Sequence, residues 1–192
     1  MPAGPSENPV QGEATMQRLA TLFAGLAMIA MSGWAGAQST APKLEYLMTY
    51  EAELEPQVIN DKLVIYAVKP GGWVKGPGIR GSFIAPGADW LRVMASGVAR
   101  LDVRATIKTD EGDLIYITYN GVIQHSAKSY DNLVKGEKVT PADGIYFVTA
   151  PTFETTSPKY GWLNGVQAIN TFVEARVNPA GSYVRYDVFV VR

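Results

Sequence analysis

A carboxylate, a cation and a hydroxyl sit at alternate positions in Leu101 to Ile107, LDVRATI, so that Asp102, Arg104 and Thr106 share one strand face. Leu101, Val103, Ala105 and Ile107 share the other. An Asp beside an Arg stays ionised and can orient a substrate or stabilise charge, whereas a general acid or base needs partial removal from water. Glu154 suits that second role, because it follows Phe153 and precedes Tyr160, Trp162 and Asn164, which together supply apolar wall and hydrogen-bond donors. Tyr116 adds a phenol from the neighbouring apolar run. The catalytic candidates are therefore Glu154, Asp102, Arg104, Tyr116 and Tyr160. Candidates for holding a ligand are Asp89 and Trp90, just after Pro86-Gly87, together with Thr106, Trp162, Asn164 and the single histidine, His125.

Each of these has a plainer alternative. The Asp102-Arg104 face is either solvated, with the apolar face lining the core, or turned into a pocket with the apolar face packed outward. Glu154 also heads a polar loop, Glu154-Thr155-Thr156-Ser157-Pro158, and Asp89-Trp90 also suits a turn cap.

Metal, thiol and nucleotide chemistry find little support. With no Cys and one His, the usual zinc and redox-metal ligands are missing, and no metal or cofactor is expected. No serine occupies a G-x-S-x-G elbow. Gly76-Pro77-Gly78-Ile79-Arg80-Gly81 satisfies G-x-G-x-x-G, but Pro86-Gly87 follows too soon for the helix that pattern requires. A turn leading into a strand is the expected structure there.

Short strands must position these residues. Strands are predicted over Leu44–Leu54, stopped by Pro56, and Lys62–Val68, ended by Pro70-Gly71-Gly72. Gly81–Ala85 and Trp90–Met94 are predicted as separate strands divided by a Pro86-Gly87 turn, and Val98–Lys108 and Leu114–Asn120 as a hairpin around Gly112. Gly144–Ala150, Val166–Val177 and Tyr183–Val191 complete the strand set, and Ser126–Lys135 is the predicted helix, stopped by Gly136. This is an all-β, mainly antiparallel pattern, compatible with a sandwich or a barrel.

The N-terminus reads as an export signal. Met16-Gln17-Arg18, the apolar run Leu19–Met31 and Ala35-Gly36-Ala37 follow the order of charged, apolar and cleavage regions, with Met16 as a candidate start. Residues 1–37 are assigned to this extension and signal peptide, and 44–192 to one domain. A periplasmic or secreted location without a membrane anchor is expected. The 192-residue chain has no Cys, so the exported domain must rest on burial rather than disulfides. Its net charge of −1, with scattered Lys and Arg, disfavours a nucleic-acid partner.

Several ordered segments carry a resemblance. They are Gly76-Pro77-Gly78-Ile79-Arg80-Gly81, Pro86-Gly87-Ala88-Asp89-Trp90, Leu101-Asp102-Val103-Arg104, Lys108-Thr109-Asp110-Glu111-Gly112 with Ile115-Tyr116, Tyr146-Phe147, Pro151 to Thr155, and Tyr160 with Trp162-Leu163-Asn164. Through them Leu44 to Arg192 resembles domain of unknown function 3237, also called uncharacterised protein family 0311. The resemblance implies a single-domain antiparallel β-barrel, closed or nearly closed, and no particular reaction. Ala105 departs from the pattern, standing where an aromatic residue is expected. Within a barrel, Asp102, Arg104 and Thr106 would face a polar ligand in the mouth.

Three functions remain open. One is a cofactor-independent isomerase, lyase or hydrolase using acid-base chemistry in the barrel mouth. Another is a periplasmic module that binds an aromatic or hydrophobic small molecule unchanged. The third is an assembly role, in which Tyr183–Val191 pairs with another chain to form a homo-oligomer.

Overall fold

Apolar alternation organises the chain. In β5 (Ala99–Thr109) Ala99, Leu101, Val103, Ala105, Ile107 and Thr109 are buried while the residues between them are not. The same inside-outside phase runs through β6 (Leu114–Gln124), where Ile115, Ile117, Tyr119 and Ile123 are buried, and β9 (Ser182–Val191), where Ser182, Val184, Tyr186, Val188 and Val190 are. A period of two leaves each strand one face for the core, and a sheet of such strands can bury that face by closing on itself.

The computed structural model describes residues 41–192. The expected signal segment and its cleavage site lie outside these residues. Pro42–Arg192 clusters as a unit of its own. Its strands are β1 (Leu44–Asn60), β2 (Leu63–Val68), β3 (Gly71–Lys75), β4 (Arg80–Val93), β5, β6, β7 (Tyr146–Glu154), β8 (Ala168–Arg176) and β9, with helix α1 (Ala127–Val134) between β6 and β7. From β3 to β9 every strand pairs antiparallel with the next, and β9 returns to β1. β2 and β3 occupy successive lengths of one position between β1 and β4, so nine strands make an eight-stranded closed barrel. Among the described residues, no helix is long and apolar enough to cross a membrane.

Two predicted breaks are not breaks. Pro56 lies within β1, opposite Tyr66 of β2, so the strand continues past it. Pro86-Gly87 is a bulge inside β4 rather than a turn: between the pairs Ile84↔Thr106 and Ala88↔Arg104, Ala85, Pro86 and Gly87 stand opposite Ala105 alone. Three residues against one preserve the phase, so Phe83 before the bulge and Asp89 after it are both buried. The Gly71-Gly72 end expected for β2 opens β3 instead. After Gly76–Ile79, closed by the Gly76 N–H donating to the Ile79 carbonyl at 2.8 Å, a strand follows and no helix.

Barrel closure occupies both edges of β9, with β8 on one side and β1 on the other. The expectation that Tyr183–Val191 adds to another chain by edge pairing therefore does not hold.

One half of the interior is filled by Met48, Ile107, Ile115, Ile117 and Val188, all fully buried. Each such side chain contributes about 1.5–3 kcal/mol on leaving water, which is how this domain is held without disulfides. Gly121, on the inner face of β6, makes space for its neighbour: a Cβ there would lie 2.4 Å from Thr149 Cγ2. The other half of the barrel is not filled.

Helix α1 is fastened beside that open half. The Ser126 side chain caps it by accepting from the Ser129 N–H at 3.1 Å, and Lys135 ends it before Gly136, whose φ is +69°. Leu133 packs on the core, while Tyr130 and Val134 are exposed.

Candidate active site

A cavity of about 100 Å³ occupies the unfilled half of the barrel, walled by residues such as Leu101, Val103, Phe147 and Phe172. Helix α1 and the segment after it close its mouth with Leu133, Val139 and Ile145. The lining is aliphatic and aromatic except for a small set of polar groups, chiefly Asp89, Tyr66, Tyr119, Tyr186 and His125. Among the described residues lining it, Asp89 supplies the single carboxylate, and there is no Lys or Arg.

Strand register explains how Asp89 comes to be there. Tyr66 of β2 pairs with Asp89 of β4, Asp89 with Val103 of β5, and Val103 with Tyr119 of β6. The four form one row across the inner wall, and neighbours in such a row are about 5 Å apart. Val103 is small, so Asp89 and Tyr119 flank a low point in the wall.

Asp89 is 9% exposed, and its Oδ1 accepts from the Asp102 N–H at 3.0 Å. Burial raises its pKa to about 7; the Asp102 N–H opposes the shift and the Asp102 charge adds to it. The carboxyl is thus poised to hold or release a proton near neutrality.

Behind Tyr119 lies a buried polar chain. Asn170, fully buried on β8, donates from Nδ2 to the Tyr50 hydroxyl at 2.8 Å. Tyr50 in turn lies close enough to Tyr119 for the two phenols to influence each other. Burial pushes the pKa values of Tyr50, Tyr119 and Tyr186 upward, so all three keep their protons. Asn170 Oδ1 and Thr149 Oγ1, on residues paired across β7 and β8, are buried without a hydrogen-bond partner. The aromatic walls pack on each other, with Phe147 stacked on Phe172 at 4.9 Å and edge-on to Tyr186 at 5.3 Å.

His125 stands at the rim. Its Nδ1 shares a hydrogen bond with the Ser129 hydroxyl at 3.1 Å, and that hydroxyl also lies 3.2 Å from the Ser126 carbonyl. Burial lowers its pKa, favouring the neutral form.

The structure divides the residues expected from sequence. Asp89 and His125 reach the cavity. Asp102, Arg104 and Thr106 do not: they occupy the outward face of β5, where Arg104 pairs with Asp102 at 3.0 Å, both side chains about half exposed. Their neighbours decide this, since Leu101, Val103, Ala105 and Ile107 have more to gain from burial. Tyr116 and Glu154 lie on the same outer face, in register with Thr106. Trp90 points outward beneath the Arg104 guanidinium, 5.7 Å from its ring.

The remaining three lie elsewhere. Tyr160 is buried and donates to the Gly78 carbonyl at 3.2 Å, and with Trp162 it lines an outer cleft shared with Tyr46 and Pro77. Asn164 locks a loop, accepting from the Thr155 N–H and donating to the Thr155 carbonyl, both at 2.9 Å. The arrangement of these candidates into one pocket in the barrel mouth is corrected accordingly. Sequence reasoning missed Tyr66, Tyr119, Tyr50, Tyr186 and Asn170. Tyr119 was detectable from its phase with Ile115 and Ile117, but Tyr50 and Asn170 meet only through barrel closure. Among the described residues, no group of three His, Cys, Asp or Glu side chains is arranged to hold a metal.

Fold and site together define a closed antiparallel barrel with a largely apolar internal cavity lined, among the described residues, by one carboxylate. The chain belongs to the family described as Protein of unknown function (DUF3237), whose model matches residues 42–191. A UPF0311 protein of Rhodopseudomonas palustris is 37% identical over 93 residues, which is 48% of this chain and 60% of that relative's length. A solved structure of a conserved protein of unknown function from Rhodopseudomonas palustris superposes with a TM-score of 0.70 at 27% identity, covering 81% of this chain and 100% of the other. The hydroalkoxylation enzyme phnH of Penicillium herquei is 28% identical over 155 residues, covering 79% of this chain and 87% of phnH.

Proposed function

We propose that this protein is a cofactor-independent enzyme that moves a proton to or from a small, largely apolar molecule inside the barrel, with Asp89 as acid and base. The observation that carries this reading is a single carboxyl in an apolar cavity with its pKa raised to about 7. A general acid or base works best when its pKa lies near the working pH, and a dry site strengthens its hydrogen bond to the reacting atom.

The relative named for hydroalkoxylation supports the same class of chemistry. Adding an alcohol across an alkene forms one C–O bond, removes a proton from the hydroxyl and delivers a proton to the other alkene carbon. Oxidation level is unchanged and no cofactor is consumed. One carboxyl that gives up a proton and takes one back meets that requirement, within the isomerase or lyase class.

We also propose that the protein is exported, on the pattern Met16 to Ala37. Mature protein recovered outside the cytoplasm is expected to begin at Gln38, and a mature N-terminus upstream of Met16 counts against it.

Native mass spectrometry of protein purified from its own cells tests the enzymatic reading by identifying a retained small molecule. Returned to fresh protein in D₂O, that molecule is expected to take up deuterium or to be converted by wild type, and to bind unchanged to Asp89→Asn. Binding by wild type without exchange or conversion identifies a binding module instead.

A further inference from the structure

We propose that Asp89 and Tyr119 form a two-donor hole for one ligand oxygen, with the ring or chain that bears the oxygen lying over Val103. This deepens the reading of the same cavity by naming the ligand class: an apolar molecule whose phenolic, enolic or carbonyl oxygen gains negative charge.

Geometry assembles the hole. Asp89 and Tyr119 stand on either side of Val103 in one inner row, and both line the cavity, so a ligand lying over Val103 has a polar residue on each side. Behind Tyr119 lies the buried pair of Tyr50 and Asn170. An amide nitrogen only donates, so Asn170 Nδ2 makes the Tyr50 oxygen an acceptor at 2.8 Å. Tyr119 lines the cavity and, its pKa raised by burial, keeps a proton that it can offer there. Asn170 and Tyr50 are positioning residues in this arrangement.

Charge selects the ligand. Among the described lining residues there is no Lys or Arg, so a ligand that carries a full negative charge before binding is poorly served. An oxygen that develops charge inside the site is well served, because fixed donors in a largely apolar cavity need little reorganisation when the charge appears. A neutral carboxyl that donates to such an oxygen is a known solution when the acid lies in an apolar site.

The test uses equilibrium binding, so it reads the hole whether or not Asp89 proves to transfer protons. Titration of wild type by ¹⁹F NMR with 4-fluorophenol and with fluorobenzene compares ligands that differ by the oxygen. At pH 5.5, 4-fluorophenol is expected to bind at least tenfold more tightly than fluorobenzene. Tyr119→Phe is expected to remove most of that preference, and Tyr50→Phe part of it. Asp89→Asn, whose amide still donates, is expected to retain more of the preference than Asp89→Leu. Equal affinity of wild type for the two probes, or binding of neither at millimolar concentration by folded protein, overturns the proposal. An unchanged preference in a folded Tyr119→Phe variant overturns it as well.

Discussion

Asp89 and Tyr119 flank Val103 on the inner wall of the barrel, each one strand away from it, although thirteen residues separate Asp89 from Asp102, whose N–H it accepts. The carboxyl is thus fixed to the backbone of the strand that separates it from the phenol. Its side chain is oriented by a main-chain donor rather than by a flexible cation.

Stability should depend on pH through this carboxyl. An acid whose pKa is raised in the folded state, from 3.8 to about 7 for Asp89, stabilises the fold fully below the lower value. That contribution is lost as pH rises towards the upper one, because the folded state then keeps a proton that the unfolded state has released. The advantage of Asp89→Asn over wild type in urea unfolding is therefore expected to grow between pH 4 and pH 7, by at most about 4 kcal/mol. His125 acts in the opposite sense, its lowered pKa costing stability as pH falls below its usual range, but it is common to both proteins. A difference that stays flat with pH counts against a buried, protonated Asp89.

Changes on the outer wall should do little. Arg104→Ala breaks a half-exposed ion pair with Asp102 and its contact with Trp90, and Glu154→Gln alters an exposed carboxylate. Both variants are expected to unfold within about 0.5 kcal/mol of wild type and to keep its 4-fluorophenol affinity. A large loss of binding in either would return the functional surface to the outer face.

Gly121→Ala tests how tightly the interior is packed. Its Cβ would meet Thr149 Cγ2 at 2.4 Å and the Val148 carbonyl at 2.8 Å. Neither can move without disturbing β7, so a loss of about 1–3 kcal/mol is expected in chemical denaturation. Thr149→Ser, by removing the methyl, should recover part of it in the double variant.

Ser126→Ala should loosen the helix at the cavity mouth. The Ser126 hydroxyl accepts from the Ser129 N–H and donates to the Asp143 carbonyl, joining both ends of the segment that covers the opening. Loss of about 1 kcal/mol is expected, with faster amide exchange in Ala127–Val134 than in the strands. Uniform exchange across the domain would show that the helix does not open independently.

Much of the barrel was legible in the sequence, because alternation over residues such as Leu101 to Ile107 and Ile115 to Tyr119 is a local property. The helix was legible for the same reason, its stop at Gly136 lying next to it. The bulge at Pro86-Gly87 was not, since three residues standing opposite Ala105 is a fact about two strands. Nor was the continuation of β1 through Pro56, which depends on what pairs beside it.

The sequence by itself determined that this domain is built of strands with one apolar face each, because burial of that face dominates the free energy of every strand. It singled out Asp89 as a residue of interest without determining its surroundings. Only the tertiary structure decided that Asp89 faces inward while Asp102 and Arg104 face solvent. That decision needs the barrel to close, since closure chooses one face of all the strands at once and brings Asn170, Tyr50 and Tyr119 together across the interior.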